Sequence, residues 1–259
     1  MHPRTPETPS RPPRGPAPFE TAWRRRFQEF AELRDDDAGI AGWSASGLEA
    51  RLRHFLAFWE GLTPETLWLD AGCGAGTYSR LLARAGAQVV AVDYSPLTLR
   101  KARERSDGAD CVWVVSDVQR LPFQAGQFDG VLCLGVLQAL SASAPAVREL
   151  ARAVRPGGLV WIDALNGWCL ANLWARLKRF AQGKPVHLRY ESPWALRRVI
   201  REAGFENMRL YWMPILPVRW QRWQAVMEHP AVRLLLRWIP PLGLAVSHAF
   251  LMRADKPTK

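Results

Sequence analysis

Two rhythms of apolar and polar residues run along the chain. Residues 19–33 and 48–59 space their apolar side chains at helical intervals, and the acidic run Asp35-Asp36-Asp37 followed by the glycine-rich stretch 39–47 predicts a loop between them. From Leu67 onward short apolar runs alternate with helical stretches, the signature of a parallel sheet wound through strand–helix–strand units. The strands predicted are 67–69, 88–92, Cys111–Val115, Phe128–Cys133 and 159–162, with two later ones at 205–212 and 245–252.

Boundary residues sharpen the helices between these strands. Ser95-Pro96 and Ser192-Pro193 each place a capping hydroxyl before a proline suited to the first helical position. Gly86, Gly157-Gly158 and Gly204 fall just past helical runs, where a left-handed cap costs glycine little. Across 167–182, Leu170, Leu173, Trp174, Leu177, Phe180 and Ala181 share one helical face, and Asn172, Arg176 and Arg179 lie opposite.

The densest chemical signal follows the first strand. Asp70, Ala71, Gly72, Cys73, Gly74 and Gly76 take the chain from an apolar strand into a helix, and glycines at alternate positions let a ligand lie against bare backbone and its amides. Glycine spacing alone also suits a structural turn or a dinucleotide fold. Asp93 closes the second strand, where its carboxylate can accept hydrogen bonds from two ribose hydroxyls, with Tyr94 flanking an adenine. After the third strand come Ser116, Asp117 and Val118. Asp117 is placed to accept from an adenine amino group, and Val118 to pack on the ring. A single aspartate at a strand end is as often a cap or a turn residue, but three in register imply one crevice at the carboxyl ends of the strands.

With these motifs the chain resembles the class I S-adenosylmethionine-dependent methyltransferases, in the broad group that includes the ubiquinone and menaquinone biosynthesis methyltransferases. The matching residues are Leu69-Asp-Ala-Gly-Cys-Gly-Ala-Gly76, Val92-Asp-Tyr-Ser95, Ser116-Asp117, Leu121-Pro-Phe123, Phe128-Asp-Gly-Val131 and Arg155-Pro-Gly-Gly158. The resemblance implies a Rossmann-like, doubly wound α/β fold whose seven-stranded, mostly parallel sheet has an antiparallel last strand. It also implies S-adenosyl-L-methionine as cofactor. The glycine loop would contact the methionine part, Asp93 the ribose and Asp117 the adenine, and Leu134 after the fourth strand joins the expected cofactor contacts. Relatives commonly carry an acidic residue and a histidine after that strand, where this chain has Leu137-Gln138-Ala139-Leu140.

The expected organisation is a Pro/Arg-rich disordered tail at 1–18, an N-terminal helical cap at 19–60, and a methyltransferase domain at 61–259 with accessory segments 166–190 and 214–241. A chain of 259 residues with 48% hydrophobic content can bury one such core. The tail lacks an apolar core segment, so it is expected to be neither a secretory signal nor an anchor. Cys73, Cys111, Cys133 and Cys169 are dispersed without a CxxC pair, which argues against a zinc site or a disulfide framework and suits a reducing cytoplasm. The apolar stretch 231–252 is broken by Arg233, Arg237 and Pro240-Pro241, so no spanning helix is expected.

Charge is unevenly placed within the net +11. Residues 166–259 hold 16 basic and 5 acidic side chains, whereas the preceding segments balance, and seven of the 13 tryptophans fall in the same third. Interleaved aromatics and cations suit a protein that leans on an anionic membrane to reach a small-molecule or lipid-linked acceptor. Nucleic-acid binding ranks lower, because the tryptophans sit at helical and strand spacing. An apolar lid with an ordinary solvated basic face accounts for the same composition. Methyl transfer needs an in-line nucleophile more than strong acid–base groups, so no catalytic residue is assigned. Asp163, Asn166, His187, Tyr190 and His248 are candidates for a base where one is needed. A nicotinamide-dependent oxidoreductase shares the fold and the ribose-binding aspartate, but its fingerprint places the third glycine three positions after the second, and here Gly76 follows Gly74 by two. A methyltransferase-like module that binds without transferring remains the non-enzymatic alternative.

Overall fold

The computed structural model of the protein describes residues 17–63, 65–106 and 108–258. Of the expected disordered tail only Ala17 and Pro18 are among these residues, and Pro18 opens the first helix. One seven-stranded sheet is built from β1 (Leu67–Ala71), β2 (Gln88–Asp93), β3 (Cys111–Val115), β4 (Phe128–Cys133), β5 (Val154–Leu165), β6 (Glu206–Met213) and β7 (Ala249–Asp255). Their order is β3-β2-β1-β4-β5-β7-β6, with β7 antiparallel to both of its neighbours and the remaining pairs parallel. This is the doubly wound arrangement, and it puts the order reversal between β1 and β4.

Strand alternation sends successive side chains to opposite faces, and each face has its own core. Leu69, Val131, Cys133 and Ile162 pack on one side with Leu150 and Leu196, while Trp68, Leu132, Trp161 and Leu165 pack on the other with Phe55 and Leu82. Gly130 makes room for Trp68, whose ring carbon lies 2.6 Å from where a Cβ would stand. The helices flanking the sheet are α4 (Thr77–Arg84), α5 (Pro96–Glu104), α6 (Ser143–Ala153) and α8 (Pro193–Glu202). Ser95 caps α5 by accepting from the Thr98 amide at 3.2 Å. Ser192 stands at the corresponding position of α8 but makes no capping bond there, so only the proline half of that expectation holds.

Among the described residues three helices precede the sheet: α1 (Pro18–Leu33), α2 (Asp37–Ile40) and α3 (Ala45–Phe58). The expected loop over 35–47 is helical in part, at 37–40 and from 45 onward, because two of its polar residues are caps. Asp36 accepts from the Gly39 amide at 2.7 Å to start α2, and Ser44 accepts from the Gly47 amide at 3.1 Å to start α3.

The later part holds α7 (Leu170–Ala181), α9 (Gln224–Met227), α10 (Pro230–Trp238) and α11 (Pro240–Val246). The strand expected from residue 245 begins at Ala249, since the Pro240-Pro241 pair starts a helix that runs to Val246 and Gly243 is pressed against the Trp212 indole. Likewise Gly157-Gly158 do not cap a helix. They lie within β5, where Gly157 at φ +74° donates to the Lys256 carbonyl and lets the strand turn past the end of β7.

Leu150 is wholly buried between α6 and the sheet. Leu150→Ala is expected to lower unfolding free energy by about 2–5 kcal/mol, read as a fall in the urea midpoint with an unchanged slope.

Candidate active site

Backbone hydrogen bonds tie three strand tips together. The Val92 carbonyl at the end of β2 accepts from both the Gly72 and Cys73 amides at 2.7 and 2.8 Å, and the Asp93 carbonyl accepts from the Ser116 amide at 3.0 Å. The turns after β1, β2 and β3 therefore open onto one cleft, and Gly72, Cys73, Gly74, Asp93, Tyr94, Ser116, Asp117, Val118 and Leu134 all line it.

The glycines differ in what they do. Gly74 has φ +52° and nothing within 4 Å of a built Cβ, so its bare side faces the cleft. Gly72, at φ +79°, is crowded by Val136 from the turn after β4. Gly76 does not line the cleft. It begins α4 at φ +78°, with the Trp113 ring 2.6 Å from where its Cβ would be, which makes it a packing residue.

Asp70 and Ala71 are likewise beneath the cleft rather than in it. The Asp70 carboxylate accepts from the Ser79 hydroxyl at 2.6 Å, which staples the strand to the first turn of α4. Burial raises its pKa to about 6.

Asp93 is buried in the floor of the cleft. Its two oxygens accept from the Ser95 amide at 3.0 Å and the Gly74 amide at 3.1 Å, so the same group shapes the glycine loop and starts the turn into α5. Burial pushes its pKa up to about 6 against these backbone donors. Asp117 accepts from the Gln119 amide at 2.9 Å and pairs with Arg24.

Arg24 belongs to α1, which lies across the cleft. Its guanidinium sits 5.3 Å above the Tyr94 ring, and its carbonyl accepts from the Tyr94 hydroxyl at 3.0 Å. One turn earlier Glu20 accepts from the Ser141 amide at 2.8 Å and from the hydroxyl of the same residue. Trp23 and Phe27 complete the covering face, and the Trp23 indole N–H is buried without a partner. A covering role suits the N-terminal helical cap expected from the sequence, but the contacts of Arg24 and Glu20 are not marked there, because their partners lie 93 and 121 positions away.

Beside the cleft, Arg51 of α3 and Asp163 of β5 form a buried ion pair. Asp163 also accepts from the Gly135 amide at 2.6 Å, and Arg51 lies 4.0 Å from the Trp43 ring centroid, so the pair supports Gly135 and Trp43 at the cleft wall. The other base candidates are placed elsewhere. Asn166 spends its amide on the Leu244 and Ser247 carbonyls at 2.7 and 2.9 Å. His248 follows α11, and burial brings its pKa to about 4. His187 and Tyr190 line a neighbouring groove between α7 and the turn after β4. That groove meets the cleft at Leu140, which lines both. In the turn itself Leu137 is buried and Gln138 donates to the Gly135 carbonyl at 2.7 Å, so no ionisable side chain enters the cleft from there.

Residues 69–162 match the methyltransferase domain family. A ubiquinone biosynthesis O-methyltransferase of Thiobacillus denitrificans is 33% identical over 160 residues, which cover 58% of this chain and 68% of that protein. Among solved structures, magnesium protoporphyrin IX methyltransferase from Synechocystis with bound S-adenosylhomocysteine aligns with a TM-score of 0.59 and 17% identity over 91% of this chain and 94% of its own. The [4+2]-cyclase SpnF aligns with a TM-score of 0.58 and 22% identity over 81% and 82%. At such identities the structural likeness speaks for the fold alone, and the cyclase shows that this fold carries more than one reaction.

A buried carboxyl whose folded pKa is raised favours folding while protonated, and that contribution is lost as pH climbs from the unfolded value of 3.8 through about 6. Asp93→Asn is therefore expected to gain stability over the parent as pH rises from 4 to 7, by roughly 3 kcal/mol at most. Urea titrations at several pH values check this, and parallel pH profiles for the two proteins would refute the raised pKa.

Proposed function

The chain belongs to the class I S-adenosylmethionine-dependent methyltransferases, and we propose that its cleft holds S-adenosylmethionine for methyl transfer to an oxygen of an apolar, lipid-linked small molecule. The observation that carries the cofactor assignment is the convergence of the bare Gly74 backbone with the Asp93 and Asp117 carboxylates in one cleft.

The residues present fit the group. The open side of Gly74 leaves room for the methionine portion beside loop amides. Asp93 is placed to accept from the ribose hydroxyls, Asp117 from the adenine amino group, and Val118 and Tyr94 offer apolar surface to the ring. The unpartnered Trp23 indole N–H in the covering helix gives the cleft a further donor. When bound, the cofactor would supply an activated sulfonium methyl group: the acceptor oxygen would attack the methyl carbon in line as the carbon–sulfur bond breaks, giving a methyl ether and the neutral thioether, with the hydroxyl proton passing to solvent.

The protein's own contribution is positional. Holding donor and acceptor in near-attack geometry makes the step effectively unimolecular, an effect worth up to about 7–11 kcal/mol in well-oriented systems. α1, through Trp23 and Phe27, covers the cleft and excludes water. The Arg51–Asp163 pair holds Trp43 and Gly135 at the cleft wall. An oxygen acceptor is supported by the relative named as an O-methyltransferase, and its apolar character by the groove, where Leu173, Leu177 and Phe180 face Leu140.

Calorimetry is expected to show binding of S-adenosylmethionine and S-adenosylhomocysteine but not NAD, and a preference for NAD would sink the cofactor assignment. Asp93→Ala is expected to weaken S-adenosylmethionine binding more than tenfold with the fold retained by circular dichroism. Since the ribose hydroxyls need the ionised carboxylate, wild-type affinity should also fall as pH drops below about 6. Transfer of radiolabelled methyl to a polyprenylated catechol, compared with its unprenylated parent, tests the acceptor.

A further inference from the structure

We infer that the outward face of α7, continued by α10 and α11, is a docking surface for an anionic lipid bilayer.

The α7 helix is mounted with its apolar side outward. Leu170, Trp174, Leu177 and Phe180 form one stripe, and Trp174 and Phe180 are 68% and 82% exposed. The polar side faces the protein. Asn172, only 3% exposed, donates to the Asn166 and His248 carbonyls at 2.8 and 2.9 Å. Arg179 donates to the Pro185 carbonyl at 2.9 Å, and the Arg176 guanidinium lies 5.6 Å from the Tyr190 ring centroid. A helix that packed its apolar stripe on the core would be turned the other way, and α7 is held in this orientation by specific hydrogen bonds. Water-facing apolar stripes of this kind mark an interaction surface.

The stripe does not end with α7. That helix packs against α11 and α11 against α10, where Leu234 and Leu235 are exposed and Trp238 is 77% exposed. Neither segment carries a carboxylate. Residues 164–190 contain five lysines and arginines and no acidic residue, and residues 229–254 contain three arginines and no acidic residue. Lys178 and Lys184 are exposed beside the stripe, and Arg237 beside Trp238. Leucine, tryptophan and phenylalanine flanked by cations are what an interfacial helix needs to sink its apolar side among acyl chains while its charges meet anionic headgroups. None of the described helices is long and apolar enough to cross a membrane, so contact is made from one side. A second copy of the chain would meet the same positive charge on both partners, which disfavours it as the occupant.

Place matters too. α7 follows the carboxyl end of β5, the edge of the sheet on which the cleft opens, and Leu173, Leu177 and Phe180 line the groove that meets the cleft at Leu140. Docking through this face sets the groove against the lipid.

The test is flotation of the full chain with vesicles of phosphatidylcholine alone and of phosphatidylcholine with about 25 mol% phosphatidylglycerol, whose anionic headgroups attract basic segments at the surface. At least tenfold tighter binding to the anionic vesicles is expected, weakened by high salt. The triple variant Trp174→Gln, Leu177→Gln, Phe180→Gln should lose at least tenfold in binding, and Lys178→Gln with Lys184→Gln at least threefold. All of these side chains are exposed, so circular dichroism and the thermal midpoint should match wild type. The proposal is overturned if wild type ignores anionic vesicles or binds neutral ones equally well. It is also overturned if the triple variant floats like wild type. Sedimentation equilibrium showing a dimer that the triple variant dissolves, without vesicle binding, would assign the face to a second copy instead.

Discussion

One carbonyl organises the functional end of this molecule. Val92, next to last in β2, accepts two amides from the turn that follows β1, so the glycine loop is tied to the strand that carries Asp93. Asp93 reaches back to the Gly74 amide and completes the loop from the other side. Parallel register extends the effect one strand further, because Asp93 stands opposite Val115 and its carbonyl takes the Ser116 amide ahead of Asp117. Shifting the β1–β2 pairing by one residue would turn these side chains to opposite faces and separate the groups that share the cleft.

Around that frame, charge is used for placement. Burial raises the pKa of Asp70 and of Asp93, and each is restrained by donors, a serine hydroxyl for one and backbone amides for the other. Arg51 and Asp163 are buried together, and Asp163 is also satisfied by the Gly135 amide. A buried pair of this kind adds little net stability but strongly penalises the loss of either member, which suits a device for holding a wall in position.

The sheet was legible because its signals are local. Short apolar runs bounded by turn residues mark β1 to β4 within two residues, and a turn rich in glycine between a strand and a helix announces the cleft. The difficulties have physical reasons. Pro240-Pro241 begins a helix where apolar content alone suggested a strand, and Gly157-Gly158 serve an extended segment because β7 passes beside them. Asp70 and Gly76 carry the motif's signature yet are spent on Ser79 and Trp113. Amphipathicity showed that α7 has two unlike sides but not which one meets the protein, a choice made by the Asn172 bonds to distant carbonyls. Glu20 and Arg24 were invisible as site residues, since nothing within α1 distinguishes them from an ordinary solvated pair.

Those two side chains give α1 a double grip: Arg24 holds the turn after β3 and Glu20 the turn after β4, from points one helical turn apart on the same rigid rod. Loss of one contact leaves the helix tied at the other, so the turns after β3 and β4 are braced against each other across the cleft as well as through the sheet.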